Sequence, residues 1–255
     1  MKEAKSNTNI KKDIISKKEA EINKLLNNIN YDMIIQYEIE KIKKDVFYFI
    51  LNYSYIQHPI KGVIPFSLYD FQIKTLEQFV NHSWNIILKS RQMGISTLVA
   101  SYVCWKMITN ESYIVNIIAN KERTAKELIN KISLVFNLMP SWIFKAFNIK
   151  IESDNALSVR LSNRSIVNAQ AASEDAGRSS AGSLVIWDEM AFGRSERIIK
   201  EIWTSIVPTL STGGDLICLS TPCVLGNTKV KIRNKKTGEI QEINIEEVMN
   251  NEKYK

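Results

Sequence analysis

Residues 89–97 read Lys89-Ser90-Arg91-Gln92-Met93-Gly94-Ile95-Ser96-Thr97, and the interpretation of the whole chain depends on them. The stretch follows a short apolar run, Trp84 to Leu88, and precedes a run from Leu98 to Ile108 with helical character. A strand that passes through a tight loop into a helix can cradle an anion, because the first N–H groups of the helix are unpaired and its dipole favours negative charge. The stretch therefore predicts a phosphate-binding loop.

The loop departs from the usual pattern G-x-x-x-x-G-K-[ST]. Lys89 stands where the first glycine is expected, Gly94 is in place, Ile95 replaces the lysine and Ser96 keeps the hydroxyl. A cation at the β- and γ-phosphates offsets the charge that accumulates during phosphoryl transfer. We predict that Lys89 supplies it from the front of the loop, that Ser96 binds Mg²⁺ and that Arg91 covers the γ-phosphate of ATP. The other predicted nucleotide-binding residues are Ser90, Gln92, Met93, Gly94, Ile95 and Thr97.

Composition permits a sizeable domain with nucleic-acid contacts. The chain has 255 residues, 45% of them hydrophobic, and a formal net charge of +7. The basic residues are spread out, so the charge permits DNA binding without demonstrating it. No apolar run approaches the length of a membrane span, and Cys104, Cys218 and Cys223 lack the spacing of zinc ligands. These features predict a cytosolic protein with reduced thiols.

Apolar runs and helical runs alternate along the central part of the chain. This order predicts a three-layer α/β fold with a mainly parallel sheet. Residues 1–45 are rich in Lys, Asn and Glu, which predicts a solvated helix or loose leader, with a partner-binding helix as the alternative. The predicted strands are Trp84–Leu88, Tyr113–Ala119, Ser158–Leu161, Ser165–Ala169, Ser183–Trp187 and Leu216–Ser220, and the predicted helices are Gln72–Phe79, Leu98–Ile108, Lys121–Leu138 and Arg197–Ile206.

Two adjacent carboxylates end the apolar run from Leu184 to Trp187. Asp188 at the end of such a strand is suited to hold Mg²⁺, and Glu189 to orient and deprotonate the attacking water. Upstream of the loop, Gln72 stands where many nucleotide-driven motors place a glutamine that reads the adenine edge. An ordinary surface glutamine is the alternative for this position.

Two further segments have a composition suited to conformational change during the catalytic cycle. Arg178 lies in a loop of small residues before the acidic strand, where an arginine finger can act in cis or on a neighbouring subunit. Ser220, Thr221 and Pro222 end the last strand of the alternating block. A small polar group there is placed to sense the γ-phosphate and couple hydrolysis to motion.

These motifs resemble the Walker A, Walker B and coupling motifs of the large terminase subunit of tailed phages. Tyr55, His58-Pro59, Gly62, Phe66 and Gln72 resemble the N-terminal region of the same family, so the match spans roughly residues 46–222. The resemblance implies an ASCE-type P-loop NTPase, an ATP-driven motor in the host cytoplasm that packages double-stranded DNA. It also implies a portal, a procapsid, a small terminase subunit and a homo-oligomeric ring. The family also has a C-terminal nuclease domain, and nuclease activity is not expected of residues 1–255.

The sequence changes character at residue 223. Residues Val224–Arg233 predict a strand, and a second strand from Glu239 to Ile245 predicts a hairpin. The segment begins Cys223-Val224-Leu225-Gly226-Asn227-Thr228-Lys229-Val230. This segment resembles the first block of an intein (Hint) domain, which implies that the Cys223 thiol attacks the Pro222 carbonyl to begin protein splicing. An ordinary hairpin with an inert cysteine is the alternative. Residues 223–255 are then either half of a split intein that needs a partner chain, or part of a truncated reading of a longer gene.

Three other functions remain compatible with the sequence. A helicase-like DNA translocase shares the loop, the acidic pair and the glutamine. A nucleotide-binding structural subunit would keep the loop without turnover, although the intact Asp188-Glu189 pair argues against it. The chain can also be a splicing precursor that is inactive until ligated.

Overall fold

The structure is a computed structural model that describes residues 31–173, 176, 182–192, 196–210, 213–221, 229–233, 238, 240–244 and 247. In chain order the elements are α1 (Tyr31–Lys44), α2 (Val46–Tyr53), β1 (Tyr55–His58), β2 (Gly62–Pro65), α3 (Asp70–Asn81), β3 (Trp84–Leu88), α4 (Ile95–Thr109), β4 (Ile114–Ala119), α5 (Glu122–Leu138), α6 (Ser141–Ala146), β5 (Ile151–Asn155), β6 (Ser158–Leu161), β7 (Ile166–Ala171), β8 (Leu184–Asp188), a 3-10 turn (Met190–Phe192), α7 (Glu196–Leu210), β9 (Asp215–Ser220), β10 (Lys229–Arg233) and β11 (Ile240–Asn244).

A seven-stranded sheet in the order β3-β9-β8-β4-β7-β6-β5 forms the centre of the protein. The five strands from β3 to β7 in this order run parallel, and β6 and β5 continue the sheet antiparallel. Every residue of β8 is buried, as expected for a strand covered on both faces. The predicted α/β fold with a mainly parallel sheet is therefore confirmed.

Successive side chains of β8 point to opposite faces of the sheet and pack in two different hydrophobic cores. Leu184 and Ile186 pack in the larger core with residues of α4 and α5, whereas Val185 and Trp187 pack in a smaller core with residues of α7. Since successive side chains of a strand point to opposite faces, Asp188 projects on the same side as Leu184 and Ile186. The strand thus directs this carboxylate toward the side of the sheet that carries α4 and α5.

The helix α1 contributes to the larger core. Ile42 is completely buried there, and the indole N–H of Trp105 on α4 donates to the Ile42 carbonyl at 2.6 Å. Residues 31–44 of the predicted leader are therefore a helix packed on the domain that follows. Residues 1–30 lie outside the described residues, and the predicted boundary after residue 45 stays a prediction.

Hairpins account for the strands outside the parallel block. The predicted hairpin around Asn163 is confirmed, since β6 and β7 pair antiparallel. The predicted C-terminal hairpin is also present, as β10 paired with β11. The pair β1–β2 and the strand β5 were not anticipated, because short strands with mixed burial give little periodic signal. Among the described residues, no helix is long and apolar enough to cross a membrane.

Candidate nucleotide site

The loop between β3 and α4 ends in a glycine that cannot be replaced without strain. Gly94 is the N-cap of α4 with φ of 68°, in the left-handed region that favours glycine. A Cβ atom built there would lie 2.7 Å from the Nε2 atom of Gln72. Gln92 also has a positive φ, 61°. The backbone of the loop is thus held in an unusual shape against a side chain of α3.

That side chain, Gln72, is buried, with 1% of its surface exposed. Its Nε2 group donates to the Met93 carbonyl at 3.0 Å, and its Oε1 atom accepts the Tyr69 N–H at 3.0 Å. The second contact closes the first turn of α3, as a glutamine at the third helical position does in a capping box. Gln72 therefore joins α3 to the loop, and its reading of an adenine edge stays a prediction.

The front of the loop reaches the acidic pair. The Nζ atom of Lys89 lies 3.3 Å from Oε1 of Glu189 and 3.8 Å from Oδ1 of Asp188. The Lys89 side chain is 11% exposed, so this cation is largely enclosed. Ile95, at the position of the usual lysine, is buried in the larger core. The only side-chain ammonium described within 4 Å of these two carboxylates thus comes from the first residue of the loop.

The acidic pair combines a carboxyl group with a raised pKa, at Asp188, and a strained backbone, at Glu189. Burial raises the pKa of Asp188, and the nearby Lys89 ammonium opposes that effect. Glu189 follows with φ of 56°, and its N–H donates to Oδ1 of Asp188 at 3.1 Å. A non-glycine residue in this region costs about 1–3 kcal/mol and persists where the surroundings enforce it. Such strain is found most often at functional sites.

The end of β9 lies between the loop and the acidic strand, because β9 is inserted between β3 and β8. The Lys89 N–H donates to the Ser220 carbonyl at 2.9 Å, and Oγ of Ser220 accepts the Ala191 N–H at 3.1 Å. The Thr221 hydroxyl lies 3.5 Å from both carboxylate oxygens of Glu189. The segment with the predicted coupling role therefore touches both halves of the site.

One cation near the site was not anticipated from the sequence. Lys131 lies half-buried on α5, and its pKa is lowered by burial, while the negative charge of Asp188 opposes that effect. Lysine on an amphipathic helix ordinarily faces solvent, so no local pattern marks this position. Only the packing of α5 on the Asp188 side of the sheet reveals it.

The remaining predicted residues divide into three groups. Ser90, Arg91 and Gln92 are exposed on the loop, and Ser96 and Thr97 are half-buried in the first turn of α4. The predicted residues Arg178, Pro222 and Cys223 lie outside the described residues. The structure thus brings together Gln72, the loop, the acidic pair, Ser220 and Thr221.

This arrangement has the parts that phosphoryl transfer requires. It offers a loop and a helix start for an anion, an enclosed ammonium, a buried carboxylate and a second carboxylate beside it. Each part comes from the carboxyl end of a parallel strand, the edge at which open α/β sheets bind ligands.

No family model matches the chain. Solved structures with a similar fold include the large terminase ATPase domain of Thermus phage P74-26, with a TM-score of 0.53 and 20% identity over 63% of this chain and 67% of that chain. The large terminase of bacteriophage HK97 is similar with a TM-score of 0.52 and 18% identity, over 70% of this chain but 37% of that chain. At these identities the likeness establishes a shared fold, a mixed α/β architecture with a mainly parallel sheet.

Proposed function

We propose that this chain is the ATP-hydrolysing motor part of a phage DNA-packaging terminase. The observation that carries the proposal is the contact of Lys89 with Asp188 and Glu189, at 3.8 and 3.3 Å. It supports a phosphate loop whose lysine has moved to the front of the loop. On binding ATP, the Lys89 ammonium leaves the carboxylates and contacts the β- and γ-phosphates, where it offsets charge in the transition state.

The residues present suit a magnesium ion. Mg²⁺ prefers oxygen ligands and keeps several waters, so one carboxylate, one hydroxyl and the substrate phosphates suffice. Asp188 is a buried carboxylate whose ionised form is disfavoured by burial, so a nearby divalent cation stabilises it. Asp188 and the Ser96 hydroxyl are the proposed ligands. When bound, the ion neutralises charge on the phosphate oxygens.

Glu189 is the proposed general base. Once Lys89 has turned to the phosphates, the carboxylate of Glu189 is left beside the Thr221 hydroxyl, which lies 3.5 Å away. A carboxylate in this position orients a water for in-line attack and accepts its proton. Arg91 on the exposed loop covers the γ-phosphate, and Arg178 acts as an arginine finger.

Ser220 and Thr221, with Pro222, are the proposed coupling segment. Ser220 holds the backbone of the loop through its carbonyl and the backbone after the acidic pair through its hydroxyl. Movement at the phosphates is thereby passed to the end of β9. The motor acts on double-stranded DNA at the portal of a procapsid, in the host cytoplasm, as a ring of subunits assisted by a small terminase subunit.

The segment from residue 223 is the proposed N-terminal part of an intein. The Sγ atom of Cys223 attacks the carbonyl carbon of Pro222, the peptide nitrogen of Cys223 leaves and takes a proton, and a thioester replaces the peptide bond. The β10–β11 hairpin is compatible with a β-rich start of such a domain. The remaining intein and terminase segments come either from a partner chain, if the intein is split, or from the continuation of a longer gene.

Hydrolysis by a Glu189→Gln variant tests the motor. The substitution removes the base but keeps the size of the side chain, so we expect ATP binding to persist while turnover falls by roughly 10²- to 10⁴-fold. Fluorescent-nucleotide binding and phosphate release measure the two quantities. Wild-type-level phosphate release in the variant would contradict the role of Glu189 as the base, whereas nucleotide binding without phosphate release in either protein would favour a nucleotide-binding structural subunit. Stimulation of the wild-type rate by proheads separates a packaging motor from a helicase-like translocase.

Mass spectrometry of the chain produced together with its downstream coding sequence tests splicing. We expect a peptide that joins residue 222 directly to new sequence, and we expect Cys223→Ala to abolish that peptide. A mature motor subunit that still carries residues 223–255 after residue 222 contradicts the proposal.

A further inference from the structure

A pair of stacked aromatic rings lies at the start of α3, where Tyr69 is the N-cap and Phe71 is in the first turn. The rings of Tyr69 and Phe71 have centroids 5.7 Å apart and an angle of 10° between their planes. Phe71 is half-buried and packs against the larger core, whereas Tyr69 is 68% exposed. The Tyr69 ring therefore faces solvent, while the Phe71 ring beneath it is fixed by its packing against the core.

Two hydrogen bonds connect this pair to the phosphate loop. The Tyr69 N–H donates to Gln72, and Gln72 donates in turn to the carbonyl of Met93 in the loop. The Tyr69 backbone is thus fixed relative to the loop through one buried side chain. Met93 itself is 38% exposed, so an apolar thioether chain lies on the loop at the other end of this connection.

The same contacts leave Gln72 poorly placed to read a base. A carboxamide has two donor hydrogens and two acceptor lone pairs, and one of each is already used. The remaining two belong to a side chain with 1% exposure, so a base can reach them only if the existing contacts break. An exposed aromatic face, in contrast, needs no rearrangement to stack on a base.

We propose that Tyr69 is the base-stacking residue of the nucleotide site and that Gln72 is a positioning residue that fixes Tyr69 to the loop. This inference rests on the proposed hydrolysis of ATP at the same site. Every nucleobase has a π-face, so stacking tolerates the identity of the base. The site therefore accepts purine nucleoside triphosphates as a class and discriminates weakly between ATP and GTP.

Steady-state kinetics of Tyr69→Ala and Tyr69→Phe test the inference. Loss of one stacked base contact is expected to raise KM for ATP and for GTP by about 5- to 150-fold with kcat nearly unchanged. The phenylalanine variant keeps a ring and is expected to retain the wild-type KM. Tyr37→Ala removes another exposed tyrosine, on α1, and serves as the matched control.

A probe without a base separates stacking from indirect damage to the loop. Ribose 5-triphosphate is expected to inhibit wild type and Tyr69→Ala with the same inhibition constant, because it offers nothing to stack. An unchanged KM for ATP in Tyr69→Ala, or an equal loss of affinity for the probe, overturns the stacking role. A Gln72→Ala variant that gains GTP hydrolysis while Tyr69→Ala is unaffected assigns base reading to Gln72 instead. If wild type hydrolyses no nucleotide at all, the proposed function fails, which is a distinct result.

Discussion

Replacement of Gly94 by alanine should destabilise the protein more than the same replacement at Gly62. Both glycines have nearly the same conformation, with φ of 68° and 71°. They differ in their surroundings, because a Cβ at Gly94 meets Nε2 of Gln72 at 2.7 Å while one at Gly62 meets nothing within 4 Å. The pair thus separates the cost of the backbone conformation from the cost of the contact.

The expected magnitudes follow from these two terms. An alanine in the left-handed region costs about 1–2 kcal/mol, and we expect this loss at both positions. At Gly94 the methyl group also displaces the Gln72 carboxamide from the Met93 carbonyl, and leaving a buried donor unsatisfied costs about 1–3 kcal/mol. For a chain of this size the extra term lowers the melting temperature of Gly94→Ala by roughly 2–12 °C more than that of Gly62→Ala.

Thermal and denaturant unfolding of both variants, alone and with Gln72→Ala, measure the effect. In the Gln72→Ala background the methyl group has nothing to displace, so the two glycine variants should differ little from each other. Equal losses of stability for Gly94→Ala and Gly62→Ala in the wild-type background would refute the contact between Gln72 and the loop.

Three further predictions concern charge and the sheet edge. Burial raises the pKa of Asp188, so the folded state holds this proton more tightly than the unfolded chain does. The free energy of unfolding should therefore fall as the pH rises above the ordinary pKa of an aspartate, about 4, and Asp188→Asn should lose that part of the slope in denaturant titrations at several pH values. Burial lowers the pKa of Lys131, which means that burying its charge is unfavourable for the folded state. Lys131→Met should therefore raise the urea midpoint of unfolding by an amount equivalent to about 1 kcal/mol. A lower midpoint would contradict a net cost of burying this lysine. Among the described strands β3 ends the sheet, and its residues Trp84, Ile86 and Leu88 are 46%, 70% and 71% exposed. An exposed apolar edge strand promotes self-association, so Ile86→Lys should reduce concentration-dependent association in sedimentation velocity. Unchanged association would contradict a role of this strand in self-association.

The parallel block could be predicted because its signals are local. Apolar runs such as Leu184 to Trp187 are long enough to mark buried strands, and the acidic pair after them marks the carboxyl edge of the sheet. The position of β9 between β3 and β8 was not predicted, since strand order depends on contacts between distant segments. This order is what places Ser220 between the loop and Glu189.

The details of the site depended on packing that no pattern encodes. The displaced lysine was predicted from charge alone, and the structure adds that Lys89 lies beside both carboxylates while Ile95 is in the core. Gln72 was singled out for its spacing from the loop, but its contacts with Tyr69 and Met93 follow from the close approach of α3. Lys131 had no sequence signal, because only the tertiary fold brings α5 near Asp188.

The turnover of Lys89→Ala is the most direct test of the displaced lysine. If Lys89 stabilises the charge on the transferred phosphoryl group, its removal should lower kcat for ATP hydrolysis by roughly 10²- to 10³-fold. Lys145→Ala, which removes an exposed lysine on α6, is the matched control and should keep the wild-type rate. Near-normal turnover of Lys89→Ala would contradict the account, whereas a large loss confined to this variant is the result it predicts.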